Sequence, residues 1–249
     1  MAGAARLRTI HHLSSSGGTV VSRAIAAQPR VVLLSEMNPS AGGLFAPRDP
    51  FSQVVVNYPG LFPGQTQEDV FLRRIEEVEA ACAKQELSLV VRDHSHTDFL
   101  GGKDREPRLR AVLGRSFVLQ SIATVRNPVD AWLSMSSSGF NKALKSFTIY
   151  CDRVKLFLDT YADLPLFRYE DFTAAPAEVT ASMAAALGLT FDPGFVDRLD
   201  AIRVTGDSGR LKKSTQIRPL ERREMPAELS AEIALPENRS LLERLGYQE

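Results

Sequence analysis

The chain has 249 residues, 44% of them hydrophobic and 24% charged, which is enough to bury one substantial core. Thirty basic and thirty acidic side chains cancel, so net charge gives no reason to expect a nucleic acid or an anionic membrane as partner, and any anion site must be built locally. Two cysteines, Cys82 and Cys151, are too few for a disulfide framework. The N-terminal apolar residues are interrupted by Arg6, Arg8, His11 and His12, and no apolar run reaches membrane-spanning length. A reducing, cytoplasmic setting without a transmembrane segment is expected.

Leu7 to Leu13 reads as a first strand, followed by the small-residue stretch Ser14-Ser15-Ser16-Gly17-Gly18-Thr19 and a helix from Val20 to Ala27. Val31 to Leu34 reads as a second strand. Pro and Gly then cluster between Asn38 and Gly64 and predict irregular chain. From Gln67 to Gln85, Val70, Phe71, Ile75, Val78 and Cys82 recur at helical spacing, and Thr66 with Asp69 resembles an acidic capping box. Leu89 to Val91 is a third strand, Leu100 to Pro107 is again irregular, and Phe117 to Val125 is a fourth strand. From Leu144 to Tyr161 one apolar stripe predicts a helix whose role is core packing, and Leu166 to Tyr169 closes the series of strands. Strands alternating with helices predict an α/β fold, a three-layer sandwich around a central, mostly parallel sheet, in a single domain spanning residues 1–249. After about Ala201 the chain turns basic, with Arg203, Arg210, Lys212, Lys213, Arg218, Arg222 and Arg223. Such a run is ordinarily a solvated face; here it follows Gly206-Asp207-Ser208-Gly209.

Two segments carry anion chemistry. The Ser14 to Thr19 loop joins a strand to a helix, where unpaired N–H groups and the positive end of the helix dipole converge, Gly allows close approach and Ser or Thr adds hydroxyl donors. It lacks the Lys of a Walker A loop, since Thr19 directly follows Gly18, which disfavours an ordinary kinase or ATPase. In Thr124-Val125-Arg126-Asn127-Pro128-Val129-Asp130-Ala131-Trp132-Leu133-Ser134, a strand ends in Arg126 and Pro128 opens a helix. Eight residues are about two helical turns, so Arg126 and Ser134 can face one phosphate, the Arg fork matching its oxygens.

Together with Phe167-Arg168-Tyr169-Glu170-Asp171-Phe172 before Pro176, these segments resemble the sulfotransferase family that uses 3′-phosphoadenosine 5′-phosphosulfate (PAPS), in motif order and spacing. The resemblance implies a P-loop nucleotide-hydrolase-like sulfotransferase fold. It implies that Ser14, Ser15, Ser16, Gly17, Gly18 and Thr19 wrap the 5′-phosphosulfate, and that Arg126 and Ser134 hold the 3′-phosphate. Gly206 to Arg210 is similar to a C-terminal stretch of short bacterial members, which makes Arg210 a further phosphate ligand. Where many members carry a loop Lys this chain has Ser16, so either another cation such as Arg92 or Arg210 takes its place or the transfer is slow. Residues 39–64 and 100–115 match nothing in the family and are read as acceptor-site loops. Tyr169, Glu170 and Asp171 are read as structural anchors of the sheet.

The transfer needs a base for the acceptor proton. His94, in Val90-Val91-Arg92-Asp93-His94-Ser95-His96, lies where many cytosolic members place a catalytic His; His96 shares its face if the chain is still extended there. Glu36, at the end of the second strand, is the rival, suited to a dry site or an acidified acceptor. His11 and His12 read as structural or phosphate-adjacent, and no metal-ligand spacing appears, so no metal is expected. The expected activity is sulfuryl transfer from PAPS to a hydroxyl or amine of a small-molecule, carbohydrate or lipid acceptor. The alternatives are a kinase-like phosphotransferase and a non-enzymatic nucleotide-binding protein. The sequence fixes neither the acceptor nor the oligomeric state.

Overall fold

The structure is a computed structural model, and it describes residues 5–39, 58–61, 63–100, 106–139, 141, 144–204, 217–219 and 221–247. Strands β1 (Arg6–His12), β2 (Val31–Met37), β3 (Ser88–Asp93), β4 (Val118–Val125) and β5 (Leu166–Arg168) form one sheet, ordered β2-β3-β1-β4-β5, with every adjacent pair parallel. The helices are α1 (Gly18–Ala26), α2 (Gln67–Lys84), α3 (His96–Phe99), α4 (Leu109–Leu113), α5 (Pro128–Ser136), α6 (Phe147–Thr160), α7 (Tyr169–Ala174), α8 (Pro176–Ala186), α9 (Ala227–Ile233) and α10 (Pro236–Arg244).

Period-two alternation along the strands divides the core into two sides. Ile10, Val90 and Ile122 face Val21, Ala24 and Ile25 of α1 and Met183 of α8. On the opposite face Leu7, Leu89 and Val91 pack under α2 and α4, while Ala123 and Val125 pack under α5, α6, α9 and α10. The apolar stripe of α6 is core, as expected, with Phe147, Cys151 and Phe157 fully buried. Both cysteines are free and buried in helices, Cys82 in α2 and Cys151 in α6.

The strand and helix expectations hold with local corrections. The capping box at Thr66 and Asp69 is present in both directions. The helix expected from Leu144 begins at Phe147, because the Ser146 hydroxyl accepts the Ile149 N–H and caps it there. The last strand ends at Arg168, and Tyr169 already opens α7. Of the two acceptor-loop segments, residues 40–57, 62 and 101–105 lie outside the described residues. Within the second, Leu109–Leu113 is helical, with Leu109, Val112 and Leu113 buried against α2.

Candidate active site

The chain leaves β1 toward the β2 edge of the sheet and leaves β4 toward the β5 edge, so the crevice at the carboxyl ends of these two neighbours is a topological switch point. Two loops meet there. In the first, Ser15 and Gly17 adopt left-handed backbone, with φ of 62° and 83°, and Gly17 caps α1. Val20 and Val21 donate to the Gly17 carbonyl, whereas among the described residues no acceptor engages the N–H groups of Gly17, Gly18 or Thr19. Open donors at a helix N-terminus form an anion cradle. A Cβ on Gly17 would stand 2.2 Å from the Tyr169 ring, and one on Gly18 would stand 2.1 Å from the His12 ring, so neither glycine can be replaced without movement. Ser16 is buried, and its hydroxyl donates to the Leu13 carbonyl at 2.6 Å, pinning the loop shut on itself. Ser14, Ser15 and Thr19 are half-buried around the cradle.

Arg126 ties the second loop to the first. Its Nη1 donates to the Ser15 carbonyl at 3.2 Å, and its guanidinium stacks 5.1 Å from the centre of the Tyr169 ring. Asn127 caps α5 through the Val129 N–H, Pro128 is its first residue, and the Asn127 N–H donates to Glu170. Glu170 also accepts from the Tyr247 hydroxyl at 2.6 Å and Asp171 pairs with Arg168, so both acids are structural anchors. Tyr169 does more than anchor, because it walls the loop beside Gly17. Ser134 lies on α5, eight residues after Arg126, and is buried. Arg210 and the rest of 205–216 lie outside the described residues.

The two base candidates form one unit. A break in the β2–β3 register between Leu34 and Met37 accompanies left-handed backbone at Glu36, with φ of 62°. That conformation costs a non-glycine residue about 1–3 kcal/mol and is found where a side chain must be aimed. The Glu36 carboxylate meets Arg92 through Oε1, and its Oε2 lies 3.1 Å from His94 Nε2. His94 Nδ1 is 2.8 Å from the Thr97 hydroxyl. A carboxylate only accepts, so His94 donates from Nε2 to Glu36 and accepts from Thr97 at Nδ1. Burial, with help from the Arg92 charge, lowers the His94 pKa against the opposing pull of Asp93, and burial lowers that of His96. Both rings are neutral near pH 7. β3 ends at Asp93 and His96 starts α3, so the extended geometry that would put His94 and His96 on one strand face is absent; their ring centroids are 6.1 Å apart.

The paired histidines of β1 separate by face. His11 is fully buried in a network the sequence did not reveal: Nδ1 lies 2.8 Å from Asp93 Oδ2, which also accepts from Ser95 and Tyr161, and Nε2 lies 2.9 Å from the Thr9 hydroxyl. Its ring stacks on Tyr161 at 4.3 Å. His12 points to the opposite face, beside α1, where burial, reinforced by Arg92, pushes its pKa down to about 3. Alternation along the strand separates the two histidines; nothing in the sequence alone says which of them turns toward the loop. Among the described residues no group of three or more His, Cys, Asp or Glu is placed to hold a metal ion, and no helix is long and apolar enough to cross a membrane.

No protein-family model matches the chain, and no curated protein does. Solved structures do. The sulfotransferase domain of the curacin biosynthetic pathway shares 16% identity over 98% of this chain and 98% of that one, with a TM-score of 0.59. The sulfotransferase domain of the Synechococcus PCC 7002 olefin synthase shares 16% over 99% and 96%, with a TM-score of 0.55. Mouse sulfotransferase SULT7A1, in complex with PAP, shares 12% over 97% and 88%, with a TM-score of 0.52. The five-stranded parallel sheet flanked by helices therefore has the sulfotransferase fold.

Proposed function

We propose that the protein is a PAPS-dependent sulfotransferase acting on a hydroxyl or amine of a small-molecule, carbohydrate or lipid acceptor. The observation that carries this reading is the meeting, at the carboxyl ends of adjacent strands, of a donor-lined anion cradle at Gly17, Gly18 and Thr19, tied to Arg126, with the Glu36–His94 pair on neighbouring strand ends. That a sulfotransferase of the same fold is seen with PAP, the desulfated nucleotide, supports the choice of donor.

In this reading the cradle holds the 5′-phosphosulfate, while Arg126 and Ser134 take the 3′-phosphate, with Arg210 as a third ligand. The acceptor oxygen or nitrogen attacks sulfur in line. The bond from sulfur to the bridging oxygen breaks, its electron pair stays on the 5′-phosphate, and the acceptor proton passes to Glu36. Glu36 is the atom set with a free lone pair, whereas both nitrogens of neutral His94 are engaged. His94 orients the carboxylate through its Nε2–H. Arg92 fixes the other carboxylate oxygen. Residues 39–64 and 100–115 shape the acceptor site, and the setting is cytoplasmic.

Incubating the full chain with PAPS carrying radiolabelled sulfate and a panel of phenols, sugars, hydroxylated lipids and amines tests the reading. Label should move to one acceptor class with the wild type and not with Glu36→Gln. Transfer from ATP instead of PAPS would contradict it.

A further inference from the structure

A sulfotransferase loop without a lysine leaves the charge that develops on the leaving 5′-phosphate without an obvious cation. On the reading of the donor site given above, we infer that His12 supplies it: the imidazole takes a proton from solvent when the nucleotide binds and donates it, as an Nε2–H hydrogen bond, to the 5′-phosphate.

The geometry carries this in three steps. First, the ring packs against the first residue of α1, whose N–H is one of the open donors: a Cβ on Gly18 would stand 2.1–2.3 Å from the carbon between its two nitrogens and from both nitrogens themselves. Second, the tautomer is fixed. His12 Nδ1 lies 3.0 Å from the Leu13 carbonyl, which can only accept, so Nδ1 bears the hydrogen. The nearby Ser16 hydroxyl is already committed to the same carbonyl. Nε2 of the neutral ring is therefore a lone pair, and it is enclosed without any hydrogen-bond partner among the described residues. Third, a neighbour on the same strand face shares that lack: Thr124 pairs with His12 in the β1–β4 register, and its hydroxyl is buried without a hydrogen-bond partner among the described residues. Buried polar groups are nearly always satisfied, and two on one strand face that are not mark a place where a ligand supplies the partner.

The proton count follows from chemistry. A phosphate dianion is acceptor-only and Nε2 is a lone pair, so the two repel unless one proton is placed between them. The groups around the ring explain why that proton is absent before binding. His11 on β1 and Arg92 and Asp93 on β3 act on it, and the first turn of α1 brings no titratable side chain. Burial, reinforced by the Arg92 charge, keeps the ring neutral until a dianion arrives. In turnover, when the bond to sulfur breaks and its electron pair stays on the phosphate oxygen, Nε2–H is already in place as the donor that a loop lysine would have been.

Calorimetry of the full chain with PAP at pH 7, in buffers of different ionisation enthalpy, reads the proton directly. Wild type should take up about one more proton per PAP than His12→Gln, whose amide donates without charge and should bind about ten- to a hundredfold more weakly. A second measurement on wild type alone covers the case in which the variant does not fold. Between pH 7.5 and 9, where both PAP phosphates are dianionic, the Kd should rise about tenfold per pH unit. Tight PAP binding with equal proton uptake in both proteins, or a Kd flat across that window, overturns the role of His12 and leaves the donor reading standing. Absence of PAP binding by wild type overturns the donor reading, and this inference with it.

Discussion

His94 Nε2 stands 3.1 Å from Glu36 Oε2, and the other oxygen of the same carboxylate meets Arg92, a guanidinium that is 1% exposed. In the function proposed above, the two strand ends supply one coupled base instead of two alternatives. Glu36→Gln and His94→Ala should each lower turnover by about 10²–10⁴-fold while sparing PAP binding. The double variant should be little slower than the worse single one, because both changes disable the same proton path. Full additivity in a double-mutant cycle would show that they act separately. Glu36→Gln should also destabilise the fold by about 3 kcal/mol in chemical denaturation, since it leaves the buried Arg92 charge without its carboxylate.

The contact between Gly17 and Tyr169 makes a prediction about the loop. Gly17→Ala places a methyl 2.2 Å from the Tyr169 ring at a left-handed φ of 83°, and should cost about 1–3 kcal/mol of stability and abolish nucleotide binding. In a Tyr169→Ala background the clash is gone and only the backbone strain remains, so the same substitution should cost about 1 kcal/mol less. Equal costs in the two backgrounds, read from denaturation midpoints, would show that the ring does not wall the loop.

Arg126 bridges the two loops through the Ser15 carbonyl and stacks on Tyr169. Arg126→Ala should weaken PAP about ten- to a hundredfold and leave the weak binding of adenosine 5′-phosphate nearly unchanged, because only PAP carries a 3′-phosphate. An equal loss for both nucleotides would place Arg126 at the 5′ end of the site.

Acid lability follows from the histidines. In the fold His12, His94 and His96 have lowered pKa values, whereas in the unfolded chain each titrates near 6.5. Below that pH the unfolded state binds more protons than the folded one, so stability falls as pH falls. The loss should approach about 1.4 kcal/mol per pH unit for each ring still neutral, and for His12 it continues to about 3. Denaturation at pH 7, 6 and 5 reads the slope, which His12→Gln should flatten; a stability unchanged from pH 7 to 5 would contradict the neutral rings.

Much of the sheet was legible because its strands obey local rules. Val31 to Leu34, Leu89 to Val91 and Phe117 to Val125 are short apolar runs between helices, and Thr66 with Asp69 announces a helix start. What the sequence could not convey depends on geometry across strands. The left-handed turn at Glu36 arises from a register break against β3, which no local pattern encodes, and without it Glu36 and His94 read as rivals. The division of labour between His11 and His12 rests on which face of β1 each occupies. Ser16 reads as a phosphate donor in a Ser-rich loop, yet its hydroxyl is held by Leu13. Tyr169 reads as the end of a strand, whereas it opens α7 and lies over Gly17.

In the function proposed above, the cradle and Arg126 together hold a nucleotide bearing a 3′-phosphate. Calorimetry with PAP, using ATP and adenosine 5′-phosphate as controls, tests it without knowledge of the acceptor. PAP should bind, and its binding should depend on the 3′-phosphate; preference for ATP, or no binding of PAP, would rule that out.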